Sequence, residues 1–242
     1  MEAGRMKRIL MMVLRNLFLV PAAWIKLCWY AAHADEYKEE VMYKHLKYIV
    51  ERANKGGNIA IDVYGQENLP KESGYMIYPN HQGLYDVLAL VYGCPDPVGI
   101  VAKKEIENIP FIKQVIACTK SFVLDRADVK QGMKVIQGVT EEVKKGRNYI
   151  IFAEGTRSKE GNKPQEFKGG SFKAATKAKC PIIPAALIDS YKAFDTGSTD
   201  TVTVQLHFLE PLLYEDYKSM KTVEIAEEVK GRIEKAIMEN ER

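Results

Sequence analysis

Tyr75-Met76-Ile77-Tyr78-Pro79-Asn80-His81-Gln82-Gly83-Leu84-Tyr85-Asp86 runs from a short apolar stretch through proline and polar residues into a second apolar stretch ending near Tyr92. Residues 75–78 carry no charge and read as a short strand; residues 84–92 read as a helix. The junction is a strand end opening a helix. Open α/β sheets bind their ligands at such carboxyl ends.

The same alternation spreads outward. Upstream, residues 35–55 read as an amphipathic helix ended by Gly56-Gly57, and residues 59–64 alternate as a strand. Downstream, strands are expected at 98–102, 121–124, 149–153, 182–188 and 202–208. Helices are expected at 108–117, 167–179 and 219–238. A further helix is capped by Asp128, carries Val129, Met133, Ile136, Val139 and Val143, and stops at Gly146. About seven strands alternating with helices predict a single α/β domain with a substantially parallel sheet. There is no internal repeat and no long linker.

Composition agrees with a globular chain: 242 residues, 46% hydrophobic and 28% charged, enough to bury a core without staples. The four cysteines, Cys28, Cys94, Cys118 and Cys180, are widely spaced. That argues against a disulfide framework or a thiolate zinc site and for reduced thiols. The net charge of +3 is uneven. Residues 1–34 hold five bases and one acid, 35–100 six and ten, 101–180 seventeen and nine, and 181–242 seven and twelve. A positive middle between acidic flanks suits a small anionic ligand better than a nucleic-acid partner.

The start of the chain reads differently. Arg5, Lys7 and Arg8 precede apolar runs at 9–14, 17–25 and 27–32, interrupted by Arg15 and Lys26. No uncharged run reaches the ~18–20 residues of a plain transmembrane helix. Trp24, Trp29 and Tyr30 belong to the residue types that favour lipid headgroups. The favoured expectation is an amphipathic segment lying in a membrane interface, as a helix pair broken at Pro21. Packing on the domain as ordinary core is the competing one. The chain is thus expected to divide into residues 1–55, a helical membrane-associating segment, and residues 56–242, the α/β domain.

His81 and Asp86 are five apart. Within one helix they would point ~140° away from each other. They meet only if His81 lies in the loop and Asp86 in the first turn. Asp86 then fixes one ring nitrogen and the other can take a proton. There is no Gly-x-Ser-x-Gly nucleophile motif, so the attacking hydroxyl would come from the substrate. A second polar group, Glu154-Gly155-Thr156-Arg157, follows the strand at 149–153. Arg157 can hold a phosphate bidentately and Glu154 can accept from a polyol hydroxyl. Arg126, Lys103 and Lys104 follow two other strands and would converge on the same crevice. No side-chain cluster has metal-ligand spacing, and none is needed to hold a phosphate.

Together these motifs resemble the glycerolipid acyltransferase family, in particular its 1-acylglycerol-3-phosphate acyltransferases, over about residues 65–210. Asn80-His81 with Asp86 matches the family's N-H-x4-D. Glu154-Gly155-Thr156-Arg157 matches E-G-T-R, and Pro181-Ile182-Ile183-Pro184 its proline-bracketed strand. The second motif, usually Gly-x-x-Phe-x-x-Arg, is altered: Lys120 stands at the glycine and Val123 at the aromatic, with Phe122 one place early.

The resemblance implies a mixed sheet, His81 as the base and Asp86 as its orienter. It further implies Arg126, Glu154, Gly155, Thr156 and Arg157, with Lys103 or Lys104, around glycerol phosphate. It implies transfer from an acyl thioester, on coenzyme A or acyl carrier protein, to 1-acylglycerol 3-phosphate, with no cofactor or metal, on the cytoplasmic face of a membrane. Lys120 keeps another lysolipid acceptor in play. A non-catalytic lipid-binding protein is the alternative of a different class.

Overall fold

The computed structural model describes residues 2–241. Its centre is a seven-stranded sheet: β1 (Ile59–Tyr64), β2 (Met76–Pro79), β3 (Val98–Lys103), β4 (Phe122–Leu124), β5 (Asn148–Ile150), β6 (Ile182–Ile188) and β7 (Val202–Phe208). The order across the sheet is β1-β7-β6-β2-β5-β3-β4. All neighbours are parallel except β6 and β7. All seven strands fall where the hydrophobic pattern places them, within a residue or two in most cases. The sheet is mixed because β7 and its neighbour β1 run against the other five.

Both faces are covered, which is why the central strands read as unbroken apolar runs. Every residue of β6 is buried. Its Ile183, Ala185 and Leu187 join one core with Ile77 and Ile150, and its Ile182, Ala186 and Ile188 join the other with Met76 and Tyr78. This is the two-residue period of a strand.

The first core lies under α1 (Glu2–Arg15), α2 (Val20–Ala32), α3 (Glu39–Gly56), α4 (Asp86–Gly93) and α5 (Ile112–Cys118). The second lies under α6 (Val129–Lys144), α7 (Lys173–Ala178) and α10 (Thr222–Asn240). Two single-turn helices, α8 (Tyr191–Phe194) and α9 (Tyr214–Tyr217), have no counterpart in the sequence pattern. Four residues carry too little periodicity to register.

The N-terminal helices break at residues 16–19, with a bend of 102°, rather than at Pro21. Asn16 diverts the chain: its amide donates to the carbonyls of Met12 (2.8 Å) and Arg52 (3.0 Å). Pro21 instead sits in the first turn of α2, where a missing N–H is harmless. No single described helix is long and apolar enough to cross a membrane.

One side of the helix pair packs on the domain. Met12, Leu27 and Tyr30 are buried with Leu46 and Val50 of α3. Arg8 is fully buried and donates to the carbonyls of Gly57 (2.6 Å), Ser198 (2.7 Å) and Asp200 (3.0 Å). The other side is apolar and open: Leu10, Leu14, Phe18, Ile25 and Trp29 are all more than half exposed, Phe18 at 95%.

Gly99 marks the tightest fit inside the sheet. A Cβ there would lie 2.4 Å from the ring of Tyr149, itself fully buried. Gly99→Ala is expected to lower stability by about 1–3 kcal/mol through overpacking. Urea unfolding of the two proteins measures it.

Candidate active site

Parallel neighbours share an orientation, so β6, β2, β5, β3 and β4 all end on one edge. That edge receives His81 after β2, the 154–157 loop after β5, Lys103 at the end of β3 and Arg126 after β4. His81 lies in the loop, and Asp86 is the first residue of α4. Their side chains meet, with His81 Nδ1 2.7 Å from Asp86 Oδ2. Asp86 is fully buried, while the His81 ring is 21% exposed and stacks on Phe152 with ring centroids 4.1 Å apart. The Nε2 of His81 makes no hydrogen bond within the described residues, and the ring lines an open groove. A ring with one nitrogen held by a carboxylate and the other free is set up to accept a proton.

The carboxylate is held from several sides. Asp86 Oδ2 also accepts from the backbone amides of Gln82 (2.6 Å) and Gly83 (3.0 Å). Asp86 Oδ1 lies 2.5 Å from the hydroxyl of Ser190, which follows β6. Asn80 ties its loop to β6 by donating to the carbonyl of Leu187 (2.9 Å) and accepting its N–H (2.7 Å).

Glu154 is not placed to meet a substrate. It is buried, and its two oxygens accept from the backbone amides of His81 (2.6 Å) and Gln165 (2.9 Å). Burial pushes its carboxyl above the ordinary glutamate value, against the pull of those two amides. The side chain expected to bind a polyol therefore fastens the His81 loop to the loop after β5. The physical reason is that two backbone amides lie within reach of the buried side chain and take one oxygen each.

Its neighbours face outward. Gly155, Thr156 and Arg157 line the groove, with Arg126 and Lys103. Gly155 has φ of 74°, a conformation that favours glycine. Lys104 does not line the groove; its ammonium pairs with Asp125 at 2.8 Å. Lys103 pairs with Glu105 at 2.7 Å, while Arg126 and Arg157 form no ion pair among the described residues.

Lys120 is also absent from the lining. It holds φ of 48°, the conformation a glycine would take freely, and pairs with Asp35 at 3.1 Å. A cation outside all the motifs, Lys168, lines the groove beside Gly155. Nothing in its local sequence distinguishes it from other surface lysines.

The groove has a volume of about 1930 Å³ and is mainly apolar. That exceeds the ~300–1,000 Å³ of common small-molecule pockets. It runs from Ile9, Val13 and Trp24 of the N-terminal helices past Leu84 and Val87 to Val129, Met133 and Ile136 of α6. The site thus combines a proton acceptor, a set of cations and a long apolar channel. Among the described residues no three His, Cys, Asp or Glu side chains converge to hold a metal ion.

Residues 60–188 match the family model described as Acyltransferase. The chain belongs to the acyltransferase family. The chain is 36% identical over 121 residues to the 1-acyl-sn-glycerol-3-phosphate acyltransferase of Helicobacter pylori, covering 50% of this chain and 51% of that one. It is 29% identical over 182 residues to the Saccharomyces cerevisiae protein of the same name, covering 72% and 58%. With that of Salmonella typhimurium it shares 31% identity over 168 residues, covering 69% and 68%.

The chain thus spans little more than half the length of the first two relatives. Its fold is that of the crystal structure of the 1-acyl-sn-glycerophosphate (LPA) acyltransferase PlsC from Thermotoga maritima. The TM-score is 0.75 over 96% of this chain and 97% of that one, at 24% identity.

The double role of Glu154 yields a test. Glutamine has one acceptor oxygen where two amides need one each. Glu154→Gln should loosen the His81 loop by about 1–3 kcal/mol, the cost of an unpaired buried amide. Hydrogen exchange at the His81 and Gln165 amides reads it.

The pH dependence has a definite sign. The folded carboxyl takes a proton at higher pH than the unfolded one. Its contribution therefore strengthens as pH falls below the folded value and is lost as pH rises through it. Urea midpoints should show this slope in the wild type and a shallower one in Glu154→Gln.

Proposed function

We propose that this chain moves a fatty acyl group from an acyl thioester to the free hydroxyl of a 1-acylglycerol 3-phosphate, giving phosphatidic acid. The observation that carries the reading is the His81–Asp86 pair opening onto an apolar groove whose lining includes Arg126, Arg157 and Lys103. The names of the Helicobacter, yeast and Salmonella relatives support the same acceptor.

In this reading the acceptor's hydroxyl lies against His81 Nε2. The imidazole takes the proton as the oxygen attacks the thioester carbonyl. Asp86 stabilises the imidazolium. The C–S bond then breaks, and the thiolate leaves with the proton that His81 returns. Arg126, Thr156 and Arg157 bind the phosphate, with Gly155 allowing close approach and Lys103 adding charge. The donor is a co-substrate on coenzyme A or acyl carrier protein, and no cofactor or metal takes part.

The same reading seats residues 1–55 on the cytoplasmic face of a membrane, and residues 56–242 do the chemistry beside it. Its support is the open apolar side of α1 and α2, with Phe18 at its tip. The product gives a second reason. Each buried CH₂ contributes ~0.8 kcal/mol, so a lipid with two acyl chains does not leave readily into water.

Thiol release should depend on the lysolipid acceptor. His81→Ala is expected to slow it by about 10²–10⁴, the usual worth of general-base catalysis. A rate near that of the wild type would reject the mechanism. Arg157→Ala should raise the acceptor KM with kcat nearly kept, since the phosphate is held alike before and during reaction. An acceptor panel of lysolipids with and without headgroups fixes the substrate.

For the membrane seat, Leu14→Glu with Phe18→Glu alters only exposed positions. It should abolish co-flotation with anionic liposomes while the unfolding midpoint stays unchanged. Flotation equal to the wild type would remove the seat.

A further inference from the structure

The proton transfer above leaves unused a buried polar cluster behind Asp86. Its members are Gln82, Asn162 and Ser190, each less than a tenth exposed. Gln82 Nε2 donates to the carbonyl of Leu187 (2.7 Å) and to Asn162 Oδ1 (2.9 Å). That orientation leaves Gln82 Oε1 to accept the backbone N–H of Ser190 at 3.1 Å. Asn162 Oδ1 also accepts the N–H of Asp189 (2.8 Å), and Asn162 Nδ2 donates to Asp189 Oδ1 (3.0 Å) and Glu241 Oε1 (2.8 Å). The backbone at Ser190 is thereby fixed from the β2 loop and from the 162 loop together.

The Ser190 hydroxyl has one proton and two acceptors in reach, Asp86 Oδ1 at 2.5 Å and Gln82 Oε1 at 2.9 Å. The carboxylate is the stronger acceptor and the nearer. Gln82 Oε1 is already served by the Ser190 N–H. The proton therefore points at Asp86.

The division between the two carboxylate oxygens gives this bond its meaning. Oδ2 takes His81 Nδ1 and both loop amides, while Oδ1 takes the Ser190 hydroxyl. Asp86 is sealed from solvent, so water does not replace a lost partner at Oδ1.

We infer that Ser190 is a positioning residue for the His81–Asp86 pair, fixing the rotation of the carboxylate and tempering its hold on the imidazolium. The inference rests on the reading of His81 as the base. Other charged groups surround the pair. Glu154 is held by amides, Asp195 lies beside Gly83, and Asp189 and Glu241 lie at the far end of Asn162. None of these carboxylates places a donor on Asp86.

Removing the Ser190 dipole leaves more negative charge on Asp86, which favours the protonated imidazole. The test uses the full chain with ¹⁵N-labelled histidine, the His81 signals being assigned by their loss in His81→Ala. In Ser190→Ala the NMR titration midpoint of His81 should rise by about one pH unit. In detergent micelles with acyl-CoA and 1-acylglycerol 3-phosphate, kcat should fall about 10- to 100-fold, because a carboxylate free to rotate misaims the imidazole and that loss of orientation outweighs the stronger hold on the imidazolium. The acceptor KM should stay within about twofold if only this bond is lost. Ser190→Thr, which keeps the hydroxyl, should restore both.

An unmoved midpoint in folded Ser190→Ala overturns the inference, and so does a kcat loss that threonine does not rescue. If Ser190→Ala does not fold, Ser190→Cys keeps the volume with a weaker donor and must move the midpoint the same way. The titration needs no turnover. A wild type inactive on every lysolipid would sink the proposed reaction, and the titration midpoint would still decide for or against the role of Ser190.

Discussion

Five neighbouring strands run in one direction, so their carboxyl ends leave the sheet along a single edge. Residues far apart in the chain are brought to one place by that fact alone. His81, Arg126, Arg157 and Ser190 come from four different strand ends. A reversal of β2 or β5 would send its loop to the opposite side of the sheet. The two strands that run the other way, β7 and β1, carry none of these side chains. The groove then lies where the covering helices α4, α5 and α6 leave the edge open.

The second constraint is electrostatic. A carboxylate sealed from water is tolerated only when its oxygens are occupied. Asp86 and Glu154 solve this in the same way, largely with backbone amides, and both draw on the loop carrying His81: three partners for Asp86 and one for Glu154. Asp86 holds the His81 ring and Glu154 holds the His81 backbone. His81 is thus held at two points, ring and backbone, by two carboxylates, and its ring stacks on Phe152. The cations of the groove are treated in the opposite manner. Arg126 and Arg157 are exposed and keep their charge available to an anion.

Much of this is legible in the chain. Strands such as Ile182–Ile188 announce themselves because burial on both faces leaves no room for polar residues. The meeting of His81 with Asp86 follows from a spacing that fails inside a helix and works across its first turn. Sheet order is not legible, since the pairing of β7 with β1 joins residues more than a hundred positions apart.

The inward turn of Glu154 is hidden for a related reason. A carboxylate in a polar loop looks the same whether it faces a ligand or two amides. Ser190 lies 104 residues from Asp86, and Lys168 sits among many lysines; neither has a local signature. At the break of the N-terminal helices proline is the louder signal in the sequence, yet Asn16, with its two carbonyl partners, sets the bend.

Arg8 has a consequence for mechanics. Its guanidinium joins the first helix to the end of α3 and to the turn before β7 through three carbonyls. The opening helix is therefore riveted to the body rather than tethered by a swivel. Force applied to its outer surface passes into the sheet, and the height of the His81 edge above whatever that surface rests on is set by rigid geometry.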